Sequence, residues 1–263
     1  MRILVTNDDG INAPGIKILN QIASELAGPQ GDVWLVAPES EQSGVGHCIN
    51  YINPTRVSKV SSQKIAIQGS PADCVLAGLH YISKKGKPDL ILSGINKGNN
   101  SGENTIYSGT VGAAMEGALQ GIPSIALSQY FGPENINLEN PFEAASQFGI
   151  SLIMDIYKKT NWGDGGYKTF YNVNFPPVQS INVKGTRVVS QGLRNTKFNV
   201  EPAIAPNGRE FLWIKGNRQD IPTEIGTDVH ANLNGYISVT PMTCNLTSYG
   251  LIDDLKKKLE CEK

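Results

Sequence analysis

Asp8 and Asp9 stand side by side in Asn7-Asp8-Asp9-Gly10, directly after the apolar run Ile3-Leu4-Val5. Two carboxylates about 4 Å apart repel by ~4 kcal/mol at an effective dielectric near 20. A bound cation removes that repulsion, and hard oxygen ligands suit Mg²⁺ or Mn²⁺. Taken alone, the doublet serves equally well as an Asp-Gly turn with its acids in water, or as a cap on the next helix. No G-x-G-x-x-G follows the first apolar run, and no P-loop string occurs, so neither a dinucleotide cofactor nor an NTPase is indicated.

Three later segments carry the remaining polar groups. Ser43, beside Gly44 in Pro38-Glu39-Ser40-Glu41-Gln42-Ser43-Gly44, offers a hydroxyl, although a loop serine is more often a turn residue or cap. Ser93-Gly94-Ile95-Asn96 runs into Lys97-Gly98-Asn99-Asn100-Ser101-Gly102. Asparagines and glycines at that density suit a loop that wraps a ligand, with Asn96 as a neutral oxygen for a cation already holding two acids. They suit a long turn with left-handed asparagines as well. Tyr107-Ser108-Gly109-Thr110 precedes a helical pattern, and the free N–H groups of a helix start form a ready anion site. Ser108 is also an ordinary N-cap there. His47, Cys48 and Asp73 are read as structural, with Asp73 completing a capping box with Ser70.

The elements that would position these groups alternate. Ile3–Thr6, Val33–Ala37, Ile65–Ile67, Leu90–Ser93, Ser124–Leu127 and Tyr171–Phe175 have strand character. Ile16, Leu19, Ile22, Ala23 and Leu26 repeat at helical spacing behind Pro14, with Asn12 as a candidate cap. Further helices are expected from Ser70, from Val111 to Leu119, and from Phe142 to Ile156. This alternation predicts an α/β fold with a mostly parallel, doubly wound, Rossmann-like sheet, whose ligands bind beyond the strands' carboxyl ends. The segments carrying Asp8 and Asp9, Ser43 and Asn96 all fall at such ends. The final third changes character. Thr186–Ser190 and Glu210–Ile214 are expected as hairpin or arm strands, Gly235–Pro241 as another strand, and Leu251, Leu255 and Leu259 line a closing helix. The division expected is a catalytic core over 1–185 and a hairpin with a C-terminal assembly arm over 186–263, the latter not an independent domain.

With 23 basic and 24 acidic residues in 263, nothing marks the chain as a binder of nucleic-acid backbone. No apolar run approaches the roughly 18 residues that span a membrane. Cys48, Cys74, Cys244 and Cys261 show no paired spacing, so a cytoplasmic protein with reduced thiols is expected.

The strings MRILVTNDDGINAPG (1–15), VAPESEQSG (36–44), GSPADCV (69–75) and SGINKGNNSGENTIYSGTVGAAMEG (93–117), with GYISVTP and NLT (235–241, 245–247), resemble the survival protein SurE family of nucleotidases. The resemblance implies a Rossmann-like core with a hairpin and an exchanged C-terminal arm in a homodimer or homotetramer. It implies hydrolysis of nucleoside 5′- and 3′-monophosphates with one divalent cation, Mg²⁺ or Mn²⁺. Carried over residue by residue, the metal ligands fall on Asp8, Asp9, Ser43 and Asn96, and the phosphate side on Asn100, Ser108, Gly109 and Thr110, with Asn96 serving both. Asp8 and Asp9 would be the catalytic pair, with Asp9 as base for an attacking water. Cys48, Asn50 and Asn104 depart from the residues relatives often carry, which bears on substrate preference. A phospho-aspartyl route and a non-catalytic, metal-dependent nucleotide sensor are the competing expectations; phosphate release separates the sensor from an enzyme.

Overall fold

The computed structural model describes residues 1–163, 165–195, 198–216 and 218–260. Cys261 lies outside the described residues. Eleven strands are described in chain order: β1 (Arg2–Thr6), β2 (Asp32–Pro38), β3 (Val57–Lys59), β4 (Lys64–Ile67), β5 (Leu90–Lys97), β6 (Ser124–Gln129), β7 (Thr169–Phe175), β8 (Thr186–Val188), β9 (Asn199–Ile204), β10 (Glu210–Lys215) and β11 (Ile237–Thr243). The α-helices are α1 (Pro14–Ala27), α2 (Pro71–Ile82), α3 (Asn104–Tyr107), α4 (Gly109–Leu119), α5 (Glu143–Lys159), α6 (Asp228–Leu233) and α7 (Ile252–Leu259).

Nine strands form one sheet in the order β3-β4-β2-β1-β5-β6-β7-β11-β8. The run from β4 to β7 is parallel, β3 and β11 join antiparallel at either side, and β8 runs parallel to β11. Chain order reverses at β1 and β5, which lie side by side with Thr6 opposite Ser93. That is the switch point of a doubly wound sheet, where the crevice for a ligand opens.

Alternation along each buried strand feeds two cores. Ile3 and Val5 of β1, with Leu90 and Leu92 of β5, pack against Ile16 and Leu19 of α1 and Ile153 of α5. Leu4 and Ile91 point the other way, onto Val75 and Ile82 of α2 and Ala113 of α4. Side chains two residues apart share a sheet face, so a strand covered on both sides must be apolar throughout. The helix starts agree with the sequence in one case and depart from it in another. Ser70 and Asp73 form both halves of the capping box, 3.0 and 2.9 Å. Asn12 does not cap α1: Ala13 holds the cap position without a side-chain bond, and Pro14 at the first turn supplies the helical φ instead.

One expectation for the last third changes. Thr186–Ser190 is not a hairpin strand: β8 is an edge of the main sheet, beside β11. The strand expected over Gly235–Pro241, β11, pairs antiparallel with β7 along Ser238–Thr243. Its alternate partners are far away in sequence, which local patterning does not encode. The hairpin is β9 with β10, in a separate two-stranded sheet.

Candidate metal and phosphate site

Three loops from adjacent strands converge beyond the sheet's carboxyl edge. Asp8 and Asp9 follow β1, Ser43 comes after β2, and Asn96 is the last residue but one of β5. The β2 loop is tied to the first turn, because the Gln42 N–H donates to the Asp8 carbonyl (2.7 Å) and the Ile11 N–H to the Pro38 carbonyl (2.8 Å). Asn7, buried under this turn, holds it by donating to the Gly10 carbonyl at 2.9 Å.

Asn96 reaches the crevice through a bulge. Between Ser93 and Asn96, β5 carries one more residue than β6 opposite it. An extra residue reverses the alternation beyond it and re-aims the later side chains of the strand. Gly94 makes this turn at φ +133°, with a Cβ position 2.2 Å from the Leu127 carbonyl, so only glycine fits. Beyond it, Asn96 donates to the Gly98 carbonyl at 2.9 Å, which turns its amide nitrogen inward to the loop.

Asp8 is 4% exposed. Its Oδ2 accepts from the Thr110 N–H at 3.1 Å, and its Oδ1 from the Thr110 hydroxyl. Burial pushes its pKa from 3.8 up to about 6; the Thr110 hydroxyl works against this and the charge of Asp9 adds to it. Asp9 accepts from the Lys97 N–H at 3.1 Å. Burial raises its pKa too, opposed by that N–H and reinforced by Glu41. Neighbouring carboxylates that both resist ionisation form a place where a cation is stabilising.

A cavity of about 720 Å³ is lined by Asp8, Ser43, Asn96, Asn100 and Ser108, so five of the residues singled out by sequence share one space. Asp9 lines a neighbouring cavity of about 490 Å³, and Lys97 borders both. Ser43 donates its hydroxyl to Glu41 at 2.7 Å, leaving its lone pairs for a ligand. Asn100 is fixed deep in the wall: its N–H donates to Asn174 (2.7 Å) and its side chain to Ser128 (2.8 Å). Among the described residues no three His, Cys, Asp or Glu side chains cluster in a way that could hold a metal. Of the residues that could hold a cation, Asp8, Ser43 and Asn96 line the large cavity and Asp9 the neighbouring one; carboxylates with neutral oxygens would suit a hard divalent ion.

The start of α4 is partly spent on the protein itself. Ser108 caps the helix by accepting from the Val111 N–H at 3.1 Å, and the Thr110 N–H is given to Asp8. Gly109 lies between them, and a Cβ there would stand 2.9 Å from that of Asp8. Its missing side chain is what lets the helix end approach the carboxylate. Of the groups expected over Ser108–Thr110, the Thr110 N–H is taken up by Asp8, and Ser108 lines the large cavity.

Several supporting groups were not visible in the sequence. Arg194, buried, donates to the Ser101 carbonyl, Asn99 and the Ser101 hydroxyl, each at 2.9 Å, and lies 3.5 Å from Glu103. Asp228 accepts from the Gly102 N–H at 2.9 Å and the Gly192 N–H at 2.8 Å. Together they shape the 98–104 loop from a distant part of the chain, and no local motif announces either. His47 pairs with Glu116 of α4 at 2.7 Å, tying the loop that carries Ser43 to the helix. That bond, ahead of the opposing burial, holds Glu116 below its usual carboxylate range. Tyr107, Phe198 and Ile214 line the outer part of the large cavity.

The sequence model described as Survival protein SurE matches residues 3–198. The chain is 58% identical to the 5′-nucleotidase SurE of Jannaschia sp. (strain CCS1), over 99% of this chain and 100% of that one. It is 57% identical to the 5′-nucleotidase SurE of Roseobacter denitrificans, over 97% and 98%. The crystal structure of the SurE protein from Aquifex aeolicus superposes with a TM-score of 0.78 at 37% identity, covering 98% of this chain and 99% of that one. Family match, full-length relatives and a shared Rossmann-like fold agree: the chain belongs to the survival protein SurE family.

Proposed function

We propose that this protein is a nucleotidase that hydrolyses nucleoside 5′- and 3′-monophosphates to nucleoside and phosphate, with one Mg²⁺ or Mn²⁺ held by Asp8, Asp9, Ser43 and Asn96. The observation that carries this is the buried carboxylate of Asp8, clasped by Thr110 at the start of α4 and opening on a cavity shared with Ser43 and Asn96. Relatives of full length named 5′-nucleotidase SurE support the substrate class.

A divalent cation bound there would neutralise phosphate oxygens and make a water more acidic. The chain's own groups do the rest. Thr110 fixes the direction of Asp8, and the Lys97 N–H fixes that of Asp9. The N–H groups at the positive end of α4 would donate to a phosphate oxygen, with Asn100 and Ser108 bordering it. Asp9, whose pKa burial raises, would accept a proton from the water that attacks phosphorus and return it to the nucleoside oxygen as the ester P–O bond breaks.

The assembly expected is a homodimer or homotetramer in the cytoplasm, without a membrane or nucleic-acid polymer as partner. Supporting features are the free thiols of Cys48, Cys74 and Cys244, and the lack, among the described residues, of any helix long and apolar enough to cross a membrane. Residues 186–263 would return two strands to the core of 1–185 and extend the hairpin and α7 as an arm. Neither β10 nor α7 buries a residue on its own chain.

Phosphate release from AMP and GMP, with and without chelator, tests the activity, and Asp9→Asn tests its mechanism. Metal-dependent release in the wild type and a loss of at least about a hundredfold in the variant are expected. Near-normal turnover by Asp9→Asn contradicts the role given to Asp9, and a wild type that binds nucleotide but releases no phosphate contradicts the activity.

A further inference from the structure

The large cavity has two chemically different ends. Asp8, Ser43, Asn96 and Ser108 make one end polar, and that end suffices for an ion and a phosphate. Its 720 Å³ is also lined by Lys97, Asn100 and Asn104, and its large apolar side chains are Tyr107, Phe198 and Ile214. All three are exposed, Ile214 at 72%. Large apolar groups open to water beside a polar centre mark the seat of a ligand with an apolar part. We infer that Tyr107 and Phe198, flanked by Ile214, seat the base of the nucleotide. The inference rests on the nucleotidase reading above and adds the residues that would select for a base.

Connectivity fits this placement. Tyr107 directly precedes Ser108, so a phosphate at the start of α4 leaves the sugar and base of the same nucleotide within reach of the ring. The Tyr107 carbonyl accepts from the Gly46 N–H at 2.9 Å, which anchors the ring's backbone to the Ser43 loop. Phe198 stands at the entry to β9 and Ile214 in β10, so the hairpin supplies the opposite side of the cavity. The two rings meet edge to face, 5.2 Å apart at 87°. In that arrangement one ring gives only its edge, and its flat faces are left for a third aromatic plane. Asn104, which also lines the cavity, donates to Gln219 at 2.6 Å. Recognition by stacking accepts every base, and it favours purines for their larger face.

The experiment compares kcat/KM for GMP, AMP and UMP with that for ribose 5-phosphate, which has no base, in the full-length metal-loaded protein. The wild type should prefer the nucleotides, purines first. Phe198→Ala should lower the nucleotide-to-ribose 5-phosphate ratio about tenfold, chiefly through KM, and Phe198→Trp should restore it. Phe198→Leu keeps apolar volume without a ring and should behave as Phe198→Ala does, which covers the case in which alanine unsettles the hairpin. A ratio near one in the wild type, or one that survives Phe198→Leu, overturns the inference while leaving the nucleotidase in place. A wild type inactive on all four substrates removes the function, and the base seat with it.

Discussion

Asp8 keeps a carboxylate where ionisation is costly. The rise from 3.8 to about 6 corresponds to about 3 kcal/mol against the charged form. Because the shift is upward, the group adds to stability below its unfolded value and loses that contribution as pH rises through about 6. Metal-free protein at pH 7.5 therefore carries the full penalty. Asp8→Asn removes it and gives up one of the two acceptors for Thr110, which costs about 1 kcal/mol. In chelator, urea melts should show the variant more stable by about 1–2 kcal/mol at pH 7.5, with the gain vanishing near pH 4. Its kcat/KM should fall by at least about a thousandfold. A variant less stable at pH 7.5 would mean that the carboxylate is satisfied without a cation. At this scale the doublet, Ser43, Asn96 and Ser108 were legible, since each sits at a strand end or helix start. The grip of Thr110 on Asp8, and the turn of Asp9 toward Lys97 and a second cavity, were not, because such contacts depend on how α4 docks on the sheet.

Helix α4 matters as an element because of how closely its first residue approaches β1. A methyl group at Gly109 would meet Asp8 at 2.9 Å and Pro71 at 3.0 Å. Gly109→Ala should displace the helix start, cost about 1–3 kcal/mol by overpacking, and raise the metal concentration needed for half-maximal activity. An unchanged metal requirement would detach the helix from the ion site. Among elements, strands buried on both faces were readable from their continuous apolar runs, and α2 from its capping box. β3, α3 and α6 are too short for periodicity to show. β9 hides behind Pro202 and mixed polarity, although β10 was visible. β8 and β11 were visible as strands, yet their place in the main sheet comes from pairings across long stretches of chain.

On the scale of the whole molecule, the hairpin is the part least explained by one chain. Phe211, Leu212 and Trp213 run consecutively along β10 and are 55–64% exposed, so both faces of the strand meet water. A lone two-stranded ribbon is marginal, and apolar exposure on this scale implies a covering surface. A second copy of the chain is the cover proposed here. Light scattering should give a mass of two or four times 28.4 kDa, and Leu212→Asp should lower it. A wild type of single-chain mass would contradict the arm. The test must leave β11 intact, because deleting from residue 235 onward would strip a strand from the core sheet.

Titration calorimetry of Mn²⁺ into chelator-stripped protein goes most directly to the claim that the β1 tip and two later loops hold one hard ion. The wild type should bind one Mn²⁺ per chain, and Asp8→Asn, folded by circular dichroism, should bind none at that site. Equal uptake by both proteins, or none by the wild type with nucleotide present, would contradict it.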